Sequence, residues 1–186
     1  MRHDPFAGQR RRRSGGLRWW VLLLFAGYAG WYWFSNRSVD PYTGESVLID
    51  SSLGADEEMA MGLQAYQQIL SQERPLPPDD PQSRQIRAIA QRLISKVDVV
   101  EAALAAEHGQ QPTGFSKGFE WDVNVIPSDQ ANALCLPGGK MAVYTGLIPV
   151  ARNEDAMAVV MGHEIAHALL RHGAQRMAQQ KLTQIG

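Results

Sequence analysis

The stretch from Val159 to Gly173, VVMGHEIAHALLRHG, constrains this 186-residue chain more than any other. It sets His163, Glu164 and His167 into a run that otherwise reads as buried helix. An ionised carboxylate in an apolar interior neutralises or finds a partner, and a bound cation is one such partner. Asn153 is placed to cap the helix, Glu154 and Asp155 suit its first turn, and the pattern carries it at least to Arg171. The four-residue spacing of His163 and His167 stacks both imidazoles on one face, where they can share a tetrahedral ion. Glu164 lies about 100° round the helix from His163, suited to holding a water rather than ligating. This is the H-E-x-x-H pattern. Neutral imidazoles with an open coordination position fit one Zn2+ per chain, with Glu164 as general base in peptide-bond hydrolysis.

Charge and cysteine content exclude several other classes. The formal net charge is -1 and the conspicuous basic residues cluster at the N-terminus, so nothing points to nucleic acid. Cys135 is the only cysteine, which excludes an internal disulfide framework and a cysteine-based structural zinc site. It also lies too far into the chain to be the lipidated cysteine of a lipoprotein.

Residues 1–18 read as a basic cytoplasmic N-terminus, with arginines at 10–13 and at Arg18. An uncharged segment follows over 19–35, WWVLLLFAGYAGWYWFS, with tryptophans near both ends as in the aromatic belts of membrane spans. It is slightly short of the hydrocarbon core, a mismatch that flanking residues and local thinning can absorb. Its aromatic end is unlike the small residues of a signal-peptide cleavage site, so it reads as a retained single-pass anchor. The positive-inside rule leaves the arginines in the cytoplasm and sends everything after Asn36 across the inner membrane, into the periplasm of a Gram-negative cell.

Residues 36–55 read as an extended lead-in, and 56–186 as the body of the domain. Ser52 or Asp56 is placed to cap a helix along which Met59, Leu63, Tyr66 and Leu70 recur at helical spacing. RPLPPDDPQ breaks it, and a second helix is expected from Ser83 to about Glu107 through Ile86, Ile89, Leu93 and Val97. Trp121, Val123 and Val125 alternate with Asp122 and Asn124 as in a strand that Pro127 ends. NALCLPGGKMAVYTGLI then gives two short apolar runs around Pro137, Gly138 and Gly139, a hairpin signal. The sum is an α+β domain, mostly helical, with a small sheet beside the H-E-x-x-H helix and one transmembrane helix before it.

That hairpin sequence, the H-E-x-x-H helix and ALLRHGAQRMAQQ together resemble the zinc metalloendopeptidases of peptidase family M48, in the branch with mitochondrial inner-membrane and bacterial periplasmic members. The resemblance covers Val39 to Gly186 and is strongest after Asn124. It implies a zincin-like (gluzincin) fold, His163 and His167 as zinc ligands, Glu164 as catalytic base, and a cleft bordered by LPGG and the strand after it. Met141, Ala142, Val143 and Tyr144 are the candidate edge strand to which an extended substrate adds by backbone pairing; simple core structure is the alternative. The implied substrates are unfolded or damaged envelope proteins.

The resemblance also implies a third zinc ligand, a Glu on a later helix, and no Asp or Glu follows Glu164. On a continuous helix His172 lies about 140° round from His167 and cannot substitute. Leu170 and Gly173 occupy the Gly and His positions of the longer metzincin pattern. Glu120 or Asp129 would have to approach from upstream. The chain therefore reads as the N-terminal part of a longer domain, with the third ligand expected downstream of Gly186. Two other readings compete: a non-catalytic, membrane-tethered binder of unfolded proteins, and a metal-storage or metal-sensing protein, for which the Glu beside the His pair has no use. Neither substrate identity nor oligomeric state follows from the sequence.

Overall fold

The computed structural model describes residues 19–185. The chain divides into two units between Ser35 and Asn36. In the first, α1 (Trp19–Ser35) is a helix of 17 residues, the bounds the apolar segment predicts. At 1.5 Å per residue it is about 25 Å long, short of a ~30 Å hydrocarbon core. Among the described residues no helix is long and apolar enough to cross a membrane.

The second unit opens on a hairpin, β1 (Arg37–Val39) antiparallel to β2 (Ser46–Leu48), where the sequence predicts only an unpacked lead-in. Asp40 makes the turn, its Oδ1 accepting from the N–H groups of Tyr42 and Thr43. Tyr42 is buried and donates its hydroxyl to Glu101 at 2.6 Å. Glu101 also accepts from Ser116, so a buried carboxylate ties the hairpin to the helical layer. The lead-in is thus packed through polar side chains, which carry no apolar periodicity.

Helix α2 (Ala55–Gln72) starts from Gly54 with no side-chain cap, whereas Ser52 bonds to Asp50. Its buried stripe is Glu58, Gly62 and Tyr66. Leu63, expected inside, is exposed. The single helix expected from Ser83 to Glu107 is two: α3 (Pro81–Ile94), capped by Asp80, and α4 (Val97–Glu107). They part where Ser95 turns its hydroxyl back onto the Arg92 carbonyl and Lys96 N–H bonds to Leu93, a local pairing that competes with the helical ladder.

The sheet has the order β3–β5–β4, from β3 (Asp122–Ile126), β4 (Ala133–Leu136) and β5 (Lys140–Tyr144). β4 and β5 form the predicted hairpin around Pro137, Gly138 and Gly139, and β5 pairs in parallel with β3. Gly138 and Gly139 have φ of 85° and 77°, the left-handed region where a side chain is strained. One sheet face carries Val123, Val125, Met141 and Val143 against Ile86 and Ile89 of α3 and the helix of the His pair. On the other, Ile126, Ala142 and Tyr144 meet Tyr66 of α2. The sheet is therefore covered by helices on both faces, the layered arrangement an α+β core needs.

Candidate metal centre

A short helix, α5 (Leu147–Ala151), leads to Asn153, whose Oδ1 accepts from Ala156 N–H at 2.8 Å and starts α6 (Glu154–Leu169) as the sequence predicts. The first-turn Glu154 also accepts from Arg92 and Gln85 of α3, which orients α6 across the sheet. Met157, Met161, Ile165 and Ala168 are the buried side of α6. His163 is exposed and Glu164 and His167 are half-buried, so the expectation that all three are hidden is corrected. The apolar residues fill the inward stripe by themselves, and the remaining positions face outward.

His163 Nε2 and His167 Nε2 lie 2.9 Å apart. Two nitrogens each ~2.0–2.1 Å from a tetrahedral zinc stand about 3.3 Å apart, so the pair fits one shared ion with a few tenths of an ångström of opening. Burial pushes the Cys135 thiol on β4 up to about 12, and the nearby charge of Glu164 adds to that shift. Cys135 is accordingly a neutral, buried thiol and no ligand. Among the described residues no third His, Cys, Asp or Glu completes a metal-holding group with the pair. Glu120 is almost fully exposed beside Lys140, and Asp129 is exposed, so neither joins it.

The helix does not run through Arg171. It ends at Leu169, Arg171 takes a left-handed φ of 53°, and α7 (His172–Ile185) sets off in a new direction. Arg171 donates Nε–H to the buried Glu58 at 2.8 Å and lies over the Phe115 ring. Burial pushes the Glu58 carboxyl above its usual range, and Arg171 opposes that shift. Because of this corner, His172 is not 140° away: its Nδ1 lies 2.5 Å from Nδ1 of His167. It still does not substitute as a third ligand, for a different reason than helical rotation. It occupies the edge of the His167 ring opposite His163.

Met141, Ala142, Val143 and Tyr144 are on β5, paired on both sides and buried throughout. Their backbone has no free edge, which corrects the expectation of a substrate strand there. Alternation and turn signals locate a hairpin but not which arm joins a strand 18 residues upstream. Among the described residues the three-stranded sheet has two edge strands: β3, whose outer side takes a bond from Leu76 N–H to the Val125 carbonyl, and β4, Ala133–Leu136, which packs beside α6. Sequence reasoning also missed Glu58 and Arg171. The only signal for Glu58 was its four-residue spacing with Gly62 and Tyr66, a stripe too polar to be read as inward.

Residues 83–186 match peptidase family M48. Over 172 residues the chain is 30% identical to the mitochondrial metalloendopeptidase OMA1 of Schizosaccharomyces pombe, covering 91% of this chain and 45% of that protein. Identity to the Saccharomyces cerevisiae protein of the same name is 30% over 166 residues, covering 87% and 45%. The putative beta-barrel assembly-enhancing protease of Vibrio cholerae is 31% identical over 130 residues, covering 70% and 23%. The chain thus spans under half the length of the curated relatives it matches. With the profile match covering more than half of its residues and the H-E-x-x-H pair carried on α6, this chain belongs to peptidase family M48.

Proposed function

We propose that the chain carries the H-E-x-x-H half of a membrane-anchored, zinc-dependent endopeptidase that hydrolyses peptide bonds in unfolded or damaged envelope proteins. The observation that carries this reading is the convergence of His163 Nε2 and His167 Nε2 on one open face of α6, the helix that packs beside β4, with Glu164 close enough for its charge to act on Cys135 of that strand. Zinc on the two imidazoles would supply Lewis acidity toward the scissile carbonyl and an acidified water. Glu164 takes a proton from the attacking water and returns it to the leaving amine. An extended chain adding to Ala133–Leu136 by backbone pairing lies alongside Glu164, with its side chains alternating toward and away from α6. With two protein ligands the 186 residues hold zinc weakly; a catalytic site normally has three, and the family resemblance implies a Glu for the third.

Support for the anchor is the exposure of Trp19, Leu22, Leu23, Leu24, Phe25, Trp31 and Phe34 on α1, behind the arginines of residues 10–18. Such a surface suits lipid. In this reading the N-terminus stays in the cytoplasm of a single-pass protein and the second unit faces the periplasm. The relatives named for mitochondria and for β-barrel assembly are consistent with work at a membrane.

The test is Glu164→Gln in a zinc-supplemented protein extended through the third-ligand helix, assayed on an unfolded casein substrate. An enzyme loses at least a hundredfold of its turnover while still binding the substrate, since a general base contributes roughly 10²–10⁴. Unchanged turnover would sink the mechanism. Binding without turnover in both proteins would favour the non-catalytic binder instead.

A further inference from the structure

We infer that His172 is a positioning residue for His167, fixing its ring and tautomer through the nitrogen remote from His163; the role rests on the metallopeptidase reading above. His167 is engaged at both edges: Nε2 at 2.9 Å from His163 and Nδ1 at 2.5 Å from His172. A neutral imidazole carries one N–H and one lone pair. Between two Nδ1 atoms one must donate. If His167 donates, its Nε2 keeps the lone pair that an ion shared with His163 requires. If His172 donates, that Nε2 carries the proton and cannot ligate.

The metallopeptidase reading requires the first arrangement, with Nδ1 of His172 as acceptor. His163 then donates Nε2–H to His167 in the metal-free chain, and to ligate through Nε2 it would release that proton to solvent and take one up at Nδ1, remaining neutral. Metal-ligating histidines generally donate their second N–H to such an outer partner; here the partner is supplied by the corner after α6.

The corner itself is built for this placement. A residue five positions beyond His167 on an unbroken helix points away from it. Arg171 adopts a backbone conformation that side chains rarely take, and the buried Glu58 and the Phe115 ring hold it there. The turn brings His172 back against the His167 ring.

The experiment uses the full chain in detergent micelles, with ¹⁵N-labelled histidine, at a pH where the imidazoles are neutral. Long-range ¹H–¹⁵N correlation reads each tautomer without metal or activity. His167 should be the Nδ1–H tautomer in the wild type, should lose that single state in His172→Ala, and should recover it in His172→Asn, whose Oδ1 can stand where Nδ1 stood. In a zinc titration, His172→Ala should weaken binding about 10- to 100-fold, with partial recovery in His172→Asn. A wild-type His167 protonated on Nε2, or a His172→Ala chain with unchanged tautomer and zinc affinity, would overturn the proposal. If zinc left His163 and His167 of the wild type unperturbed, the proposed function would fail, while the metal-free tautomers would still decide the role of His172.

Discussion

Helices α2 and α6 cover opposite faces of the same three-stranded sheet, and they do so by different means. α6 presents Met157, Met161, Ile165 and Ala168, a plain apolar stripe whose packing tolerates polar residues everywhere else on the helix. α2 presents Glu58, Gly62 and Tyr66: a carboxylate paired with Arg171, a glycine pressed on the Pro137 carbonyl, and a phenol that bonds Met141 O and Asn124. The first kind of contact is set by area and the second by position. An area contact leaves its outer face at liberty to carry His163 and Glu164. A positional contact fixes neighbours, here the β4–β5 turn and the α6–α7 corner, on either side of the candidate site.

The contrast can be broken first on the α6 side. Met161 is fully buried between helix and sheet, and Met161→Ala should cost about 3 kcal/mol of unfolding free energy. Val159, exposed on the same helix, should change stability by less than about 0.5 kcal/mol when replaced by Ala. Equal effects in denaturant titrations would mean that α6 is not held by its inward stripe.

Gly62→Ala tests the positional contact. The added Cβ would stand 2.2 Å from the Pro137 carbonyl oxygen, a clash with backbone that no rotamer relieves. A loss of about 2 kcal/mol is expected, together with amide shifts at Gly138 and Gly139 that Met161→Ala does not produce. A silent substitution would remove the close approach from the argument.

The smallest effect is a pH slope. The folded-state carboxyl of Glu58 is raised by burial, so the folded chain binds that proton more readily than the unfolded chain does. Stability from this group is therefore fully present below the ordinary Glu value of about 4.3 and falls as pH rises through the raised folded value. Glu58→Gln should flatten that part of the stability-pH profile. A slope that is unchanged, or opposite in sign, would show that Arg171 outweighs burial.

What the sequence discloses follows the same division. The α6 start at Asn153, β3, and the Pro137–Gly139 hairpin are legible because capping, periodicity and turn residues are local signals. Likewise the His163–His167 pair needs only a spacing of four on a helix. The end of α6 is not legible, since Leu170 and Arg171 carry no turn signal and the left-handed Arg171 is held by Glu58, 113 residues earlier. Nor is the central place of β5: Met141–Tyr144 reads equally well as an edge until β3 is known to pair with it. Tyr42 and Glu101 meet across 59 residues through a single polar contact, which no hydrophobic pattern announces.

The strand order β3–β5–β4 carries an implication for how the domain assembles. β4 and β5 are joined by a three-residue turn, and hairpins of this kind close in about 1–10 μs, whereas the parallel β3–β5 ladder must wait for a longer loop to be drawn in. The nascent chain thus acquires the β4 edge as part of its fastest-forming piece, already twisted and in register, before the layers close over β5. An exposed ribbon at that stage is a template for any other extended polypeptide, another copy of this chain included. Early docking of α6 along β4 is then what separates a chain that folds from one that aggregates with its siblings.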